Sequence, residues 1–261
     1  MQRVIAIFIR HIYLLRRSPH RMIGMLYWPT MELFLWGFLT LYLNRIGAAE
    51  FNFVTVLLSA LIFWDFFNRS QQALSVSFLE DVWVRNVGNV LASPIRPVEY
   101  LFGLILVSIF QTIVSLSFIA SLAYVFWQLN LFQFGFWLLP FFANLYITGW
   151  AMGIFATALI LRLGPSTDVL AWSLPLLLQP LSAVFYPVTV LPGWLQTVAH
   201  WLPTTYIFEG MRAIIFSQEF IATDVVRAFL LNLVYISLAI FGFALSYRSV
   251  RRRGTLQRYS D

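Results

Sequence analysis

Six apolar stretches dominate this sequence, at 22–43, 53–76, 99–127, 134–161, 169–186 and 226–247. A hydrocarbon core takes about twenty helical residues, so most of these runs can cross one. No soluble domain has interior enough for them all. With 60% hydrophobic residues, 18% aromatic residues, 11% charged residues and a mean hydropathy of +0.79, the chain reads as an all-α integral membrane protein. A single transmembrane domain over 1–261 is expected, because no linker or compositional break divides it.

The charges between the runs set an orientation. The formal net charge is +6, and every basic side chain is an arginine, since the sequence contains no lysine. Arginines concentrate in segments 1–21, 77–97, 162–168 and 248–261, which alternate with poorly charged loops. The inward preference of basic loops then puts both termini in the cytoplasm with six spans between them. The missing lysine also excludes an ordinary Walker A loop, which needs that ammonium on the nucleotide phosphates. No cofactor is therefore expected on this chain, and any ATP and magnesium belong to another polypeptide. Without cysteine, and with His11, His20 and His200 far apart in sequence, no metal site is expected.

Three segments depart from plain spans. Residues 1–21 carry Val4, Ile5, Phe8, Ile12 and Leu15 at helical spacing among arginines, as an interfacial helix does, with Ser18-Pro19 turning the chain inward. In the loop 77–97, Trp83, Val87 and Leu91 recur on one helical face while Glu80, Asp81, Arg85 and Asn89 fall mainly elsewhere, and Ser93-Pro94 ends the pattern. A basic amphipathic helix of this kind lies on headgroups or docks on a partner. From Pro180 to Phe216, Pro187, Pro192, Gly193 and Pro203 forbid one straight span. The expected result is a helical hairpin over 191–216 at the outer face, with Trp194 and Trp201 at the water-lipid boundary. Its second helix would be N-capped by Thr204 or Thr205, with Glu209 and Arg212 on an exposed face.

Charges also fall inside the spans. Glu32 lies in the first, and Asp65 and Arg69 lie one turn apart in the second. Charge at that depth is costly and has to be paired or to face water. The trio either locks two helices together or lines a polar path, and aromatics such as Phe63, Trp64, Phe66 and Phe67 either pack or line the same path. Gly149 and Gly153 have the spacing of close helix packing.

Read together, Pro180 to Pro187, Leu191 to Leu195, Leu202 to Thr205 and Glu209 to Arg212 resemble, in order, the region before the last span of ABC-2 type permeases. Asn89, Leu91, Ser93, Pro94 and Arg96 resemble that family's Asn-x-Leu-x-Ser-Pro loop. The resemblance implies the membrane subunit of an ATP-binding-cassette exporter in a bacterial inner membrane, a homodimer joined to two ATPase subunits. It makes Glu80 to Leu91 a coupling helix, with Glu80, Asp81, Trp83, Arg85, Val87, Asn89 and Leu91 on the ATPase, and sets the N-terminal helix beside that subunit. It places a substrate path between the second and fifth spans, where Phe63, Trp64, Phe67, Leu178, Phe185 and Tyr186 are the candidate lining. The outer hairpin, marked by Pro192, Trp194, Pro203, Glu209 and Arg212, would shape the exit. Drugs, lipids and lipo-oligosaccharides are the substrates implied. Two readings compete: a proton-coupled secondary transporter using Glu32, Asp65 and Arg69, and a lipid-acting intramembrane enzyme, for which no nucleophile and base converge.

Overall fold

The computed structural model describes residues 2–46, 53–83, 95–164, 167, 169–216 and 222–253. Among them the regular elements are all helical: α1 (Gln2–Arg17), α2 (Pro19–Ile46), α3 (Phe53–Trp83), α4 (Pro97–Trp127), α5 (Leu138–Leu163), α6 (Val169–Leu181), α7 (Gly193–Ala199), α8 (Pro203–Ile215) and α9 (Ala222–Arg253). Short 3-10 turns at Leu131–Trp137 and Val188–Val190 complete the path. The all-α class expected from the apolar runs is what these residues form.

Among the described residues three segments are long and apolar enough to cross a membrane, Val98–Trp127, Leu131–Leu163 and Ala222–Val250. Helices α2 and α3 have the length, at 28 and 31 residues, but Glu32, Asp65 and Arg69 interrupt their apolar surface. The stretch 169–186 corrects the sequence reading. Its helix, α6, stops at Leu181 after 13 residues, or about 20 Å at 1.5 Å per residue, short of a hydrocarbon core of about 30 Å. Pro175 and Pro180 each withhold a backbone donor, and Ala183 then takes a left-handed φ of 50°, which turns the chain aside.

Local chemistry fixes the other ends. Pro97 opens α4, and the Arg96 backbone N–H donates to Glu99 Oε2 at 2.8 Å, closing a capping box. Asn130 Oδ1 accepts from the Phe132 N–H at 2.9 Å to start the 3-10 turn, and Gly135, at φ 53°, makes the kink into α5 that a side chain would resist.

Helices α3, α5 and α9 form the centre, with α4 beside α3 and α8 against α9. One end of the core is aromatic, built on Phe63, Phe67, Phe134, Phe141 and Phe208; the other is aliphatic, around Leu74, Leu79, Leu104, Ile154 and Ile160. A Cβ on Gly149 would collide with the Ser70 hydroxyl and sit 2.9 Å from the Phe67 carbonyl oxygen; one on Gly153 would sit 2.9 Å from that of Gln71. The two glycines thus let α5 lie directly on the α3 backbone. On the opposite face of α5, Asn232 of α9 donates to the Asn144 carbonyl at 3.0 Å, and its Oδ1 accepts from Thr148 at 2.7 Å. Polar groups buried among apolar helices are thereby satisfied by one another.

Candidate functional site

A cavity of about 600 Å³ lies between α2, α3 and α6, reached also by the end of α1. Glu32 and Trp28 project into it from α2, four residues apart and so on one helical face. From α3 come Trp64, Asp65, Asn68, Arg69 and Gln72, and from α6 come Trp172 and Pro175. The structure therefore brings the three intramembrane charges to one space. It does not lock them: Arg69 Nε stands 3.8 Å from Asp65 Oδ1, beyond hydrogen-bond length, and Glu32 forms no ion pair among the described residues.

The expected lining divides. Trp64 lies on the cavity wall, whereas Phe63 and Phe67 are fully buried in the aromatic core against Phe134, Phe141 and the Trp64 ring. Leu178 packs against the same core, and Phe185 stacks on Trp36 with ring centroids 4.8 Å apart. The Tyr186 hydroxyl donates to the Pro180 carbonyl at 2.7 Å, closing the turn after α6. These three stand beside the cavity.

Toward the end of α3 the helix runs on without a break to Trp83, past the point where sequence placed the span's end at Val76. Of the residues assigned to the coupling segment, Arg85, Val87, Asn89 and Leu91 lie outside the described residues. Glu80 and Trp83 line the mouth of the cavity, and Trp83 is 52% exposed. Asp81 faces the other way. It is buried, accepts a 2.6 Å hydrogen bond from the Tyr100 hydroxyl, and is ion-paired with Arg10 of α1. Arg3 reaches Glu99 at 3.4 Å, and Ile7 packs where a Cβ on Gly103 would stand. So α1 is clamped to α4 by one ion pair and a glycine notch, and to the end of α3 by the other ion pair. Between them His11 is buried, its Nδ1 donating to the Ile7 carbonyl at 3.0 Å; burial pulls the imidazole below its usual value, which keeps it neutral at pH 7.

The hairpin corrects two sequence expectations. Helix α8 is opened by Pro203 with Leu202 at the N-cap, and no side chain caps it; Thr204 and Thr205 are buried, and Thr204 shares a 2.7 Å hydrogen bond with Ser182. Proline at the first position removes a donor that a threonine cap would have served. Arg212, expected on an exposed face, is buried. It donates to the Val184 carbonyl at 3.0 Å and to Glu209 at 2.9 Å, while Glu209 accepts from the Val188 N–H at 2.7 Å. This pair holds the turn after α6 onto α8. Pro192, Trp194 and Trp201 are exposed. Replacing Arg212 by Met strands the Val184 carbonyl and is expected to cost about 2 kcal/mol, moderated because Glu209 stays partly solvated. The loss is read from the tryptophan-fluorescence melt and from faster protease cleavage within 182–190.

Helices this long and apolar are those of an integral membrane protein. A family model described as ABC-2 type transporter matches residues 2–216, and the chain belongs to that family. It is accordingly the membrane component of an ATP-binding-cassette transporter, a family whose members usually leave ATP hydrolysis to a separate subunit. A search of curated proteins finds no match.

Proposed function

We propose that this chain is the permease subunit of an ATP-driven exporter that moves a hydrophobic or lipid-linked substrate across a bacterial inner membrane by alternating access. The full chain, 1–261, acts as one transmembrane domain with six spans and both termini inside, α6 and the turn after it completing the fifth. It works as a homodimer with two ATPase subunits. The observation that carries this reading is the unbroken path of α3. One rigid helix bears Asp65 and Arg69 on the cavity wall and Glu80 and Trp83 at the exposed end.

A force applied near Trp83 must tilt the helix that forms the wall, so closure of docked ATPases can reshape the cavity without bending any element. ATP biases this equilibrium only through contacts that differ between the two states, and the segment from Glu80 onward supplies them. Asp81 contributes from inside, by tying the moving end to α1 and α4. The hairpin 191–216 then shapes the exit.

The test is ATP hydrolysis by the partner ATPase in proteoliposomes, with and without this chain. A large exposed indole at a contact is a typical energetic anchor, so Trp83→Ala should weaken association of the two subunits about tenfold or more and abolish stimulation by the permease. Unchanged stimulation in that variant would remove Trp83 from the interface.

A further inference from the structure

We infer that the cavity between α2, α3 and α6 selects a lipophilic organic cation, with Glu32 and Asp65 as its specificity-determining residues. The inference rests on the permease reading and names the substrate class of that same cavity.

Four observations converge. The wall holds two carboxylates against one guanidinium at mid-helix depth, and Arg69 meets Asp65 only at 3.8 Å. Neither Glu32 nor Asp65 accepts a hydrogen bond from any described residue; Asp65 has only the long contact to Arg69, and Glu32 has no ion pair among the described residues, so one negative charge is in excess. A carboxylate in a low-dielectric wall without a partner is costly, and an occupant that brings positive charge removes that cost. The second observation concerns shape: at about 600 Å³ the cavity matches a drug-sized molecule and not a bare ion. No group of three metal-ligating side chains is present among the described residues, which agrees with that size.

Third, the carboxylates come paired with indoles. Trp28 lies one turn from Glu32 on α2, Trp64 precedes Asp65 on α3, and Trp172 faces them from α6. Indole faces attract cations and also receive flat apolar groups, and a cation desolvated between indole and carboxylate gains from both. Fourth, the other uncharged polar groups on the wall, Asn68, Gln72, Ser77 and Gln111, bring no further cation to offset the excess negative charge. His11 and Glu80 lie farther along, at the end where α1 meets the cavity. A neutral glycan would also stack on indoles, but it leaves the excess negative charge uncompensated. An anion meets two charges of its own sign.

Two probes of one shape and opposite charge separate these cases: tetraphenylphosphonium and tetraphenylborate. The purified full chain in lipid nanodiscs is titrated with each, and uptake by empty nanodiscs is subtracted. Saturable phosphonium binding is expected, with no saturable borate binding. Glu32→Gln should weaken phosphonium binding about tenfold or more, as truncating one partner of a charge pair that the ligand closes off from water does. Because Glu32 has no ion pair or hydrogen bond among the described residues, its carboxamide variant should keep the parent melting temperature. Asp65→Asn should weaken binding similarly, and Trp172→Ala several-fold, while Gly242→Leu, remote on α9, should leave it unchanged. Saturable borate binding, or phosphonium binding indifferent to Glu32→Gln in a folded chain, overturns the inference. Competition by a neutral alkyl glycoside stronger than by phosphonium overturns it in favour of a glycan. Stimulation of the partner ATPase in the same nanodiscs is recorded separately: its absence counts against the permease reading, whereas its presence without cation binding counts against the cation alone.

Discussion

Gly149→Leu is expected to lower the stability of the bundle by about 3 kcal/mol or more, the upper end of what overpacking costs. The position leaves no room: a Cβ there meets the Ser70 hydroxyl and lies 2.9 Å from the backbone oxygen of Phe67. Ser70 cannot swing away freely, since its Oγ donates to Phe67 O at 2.7 Å and its own carbonyl accepts from Ser108 at 3.0 Å. The whole of α3 must therefore retreat from α5. That movement opens the seam where Gln71 bonds the Ala171 carbonyl, and with it the link from α3 to α6. Gly242→Leu is the matched control. It stands on α9 with nothing within 4 Å of its Cβ position, and its expected change is within about 0.5 kcal/mol. The ten tryptophans give the fluorescence melt that compares them.

Asp81→Ala comes second, at about 3 kcal/mol. Removing one partner of a buried ion pair costs about 3–5 kcal/mol, and the lower figure applies because Arg10 is one-third exposed and can rehydrate. The Tyr100 hydroxyl, buried with Asp81 as its acceptor, is left without one. Tyr100→Phe, which removes only the donor, should cost about 1 kcal/mol. The signature beyond the melt is local: α1 loses its tie to the end of α3, so protease should cut within residues 2–17 faster than in the parent chain. If the melt falls while α1 stays protected, the Arg3–Glu99 contact and the Ile7 notch carry the clamp instead.

These two sites show what a sequence conveys about such a chain and where it stops. Apolar runs located the long helices, because a bilayer-length hydrophobic stretch has few other uses, but not their ends: α3 runs on from Val76 to Trp83 and α9 from Tyr247 to Arg253. Proline and glycine marked the broken segment after α6, and the Gly149 and Gly153 spacing marked a close helix contact whose partner, α3, only the structure supplies. Amphipathic periodicity identified α1 as a surface helix but could not name what it lies on, since a pattern defines a face and not its partner. The Arg10–Asp81 pair joins residues 71 apart, and nothing local to either position signals it. The same limit applied to Arg212. An arginine after Glu209 reads as a solvated pair, until the turn at 182–190 folds back and delivers the Val184 carbonyl to it. Glu32, Asp65 and Arg69 were legible as a group from depth alone, whereas the indoles around them needed three helices to be assembled.

The absence of native cysteine allows a decisive labelling measurement. Gln72→Cys places the chain's single thiol on the cavity wall, in proteoliposomes that also contain a cysteine-free partner ATPase. A membrane-impermeant maleimide is applied from each side in turn. An alternating-access permease requires the thiol to react from the cytoplasmic side without nucleotide, and to lose that reactivity and gain it from the opposite side when ATP is trapped with vanadate. Labelling from one side only, indifferent to nucleotide and to the presence of the ATPase, would contradict an ATP-driven pathway through this chain.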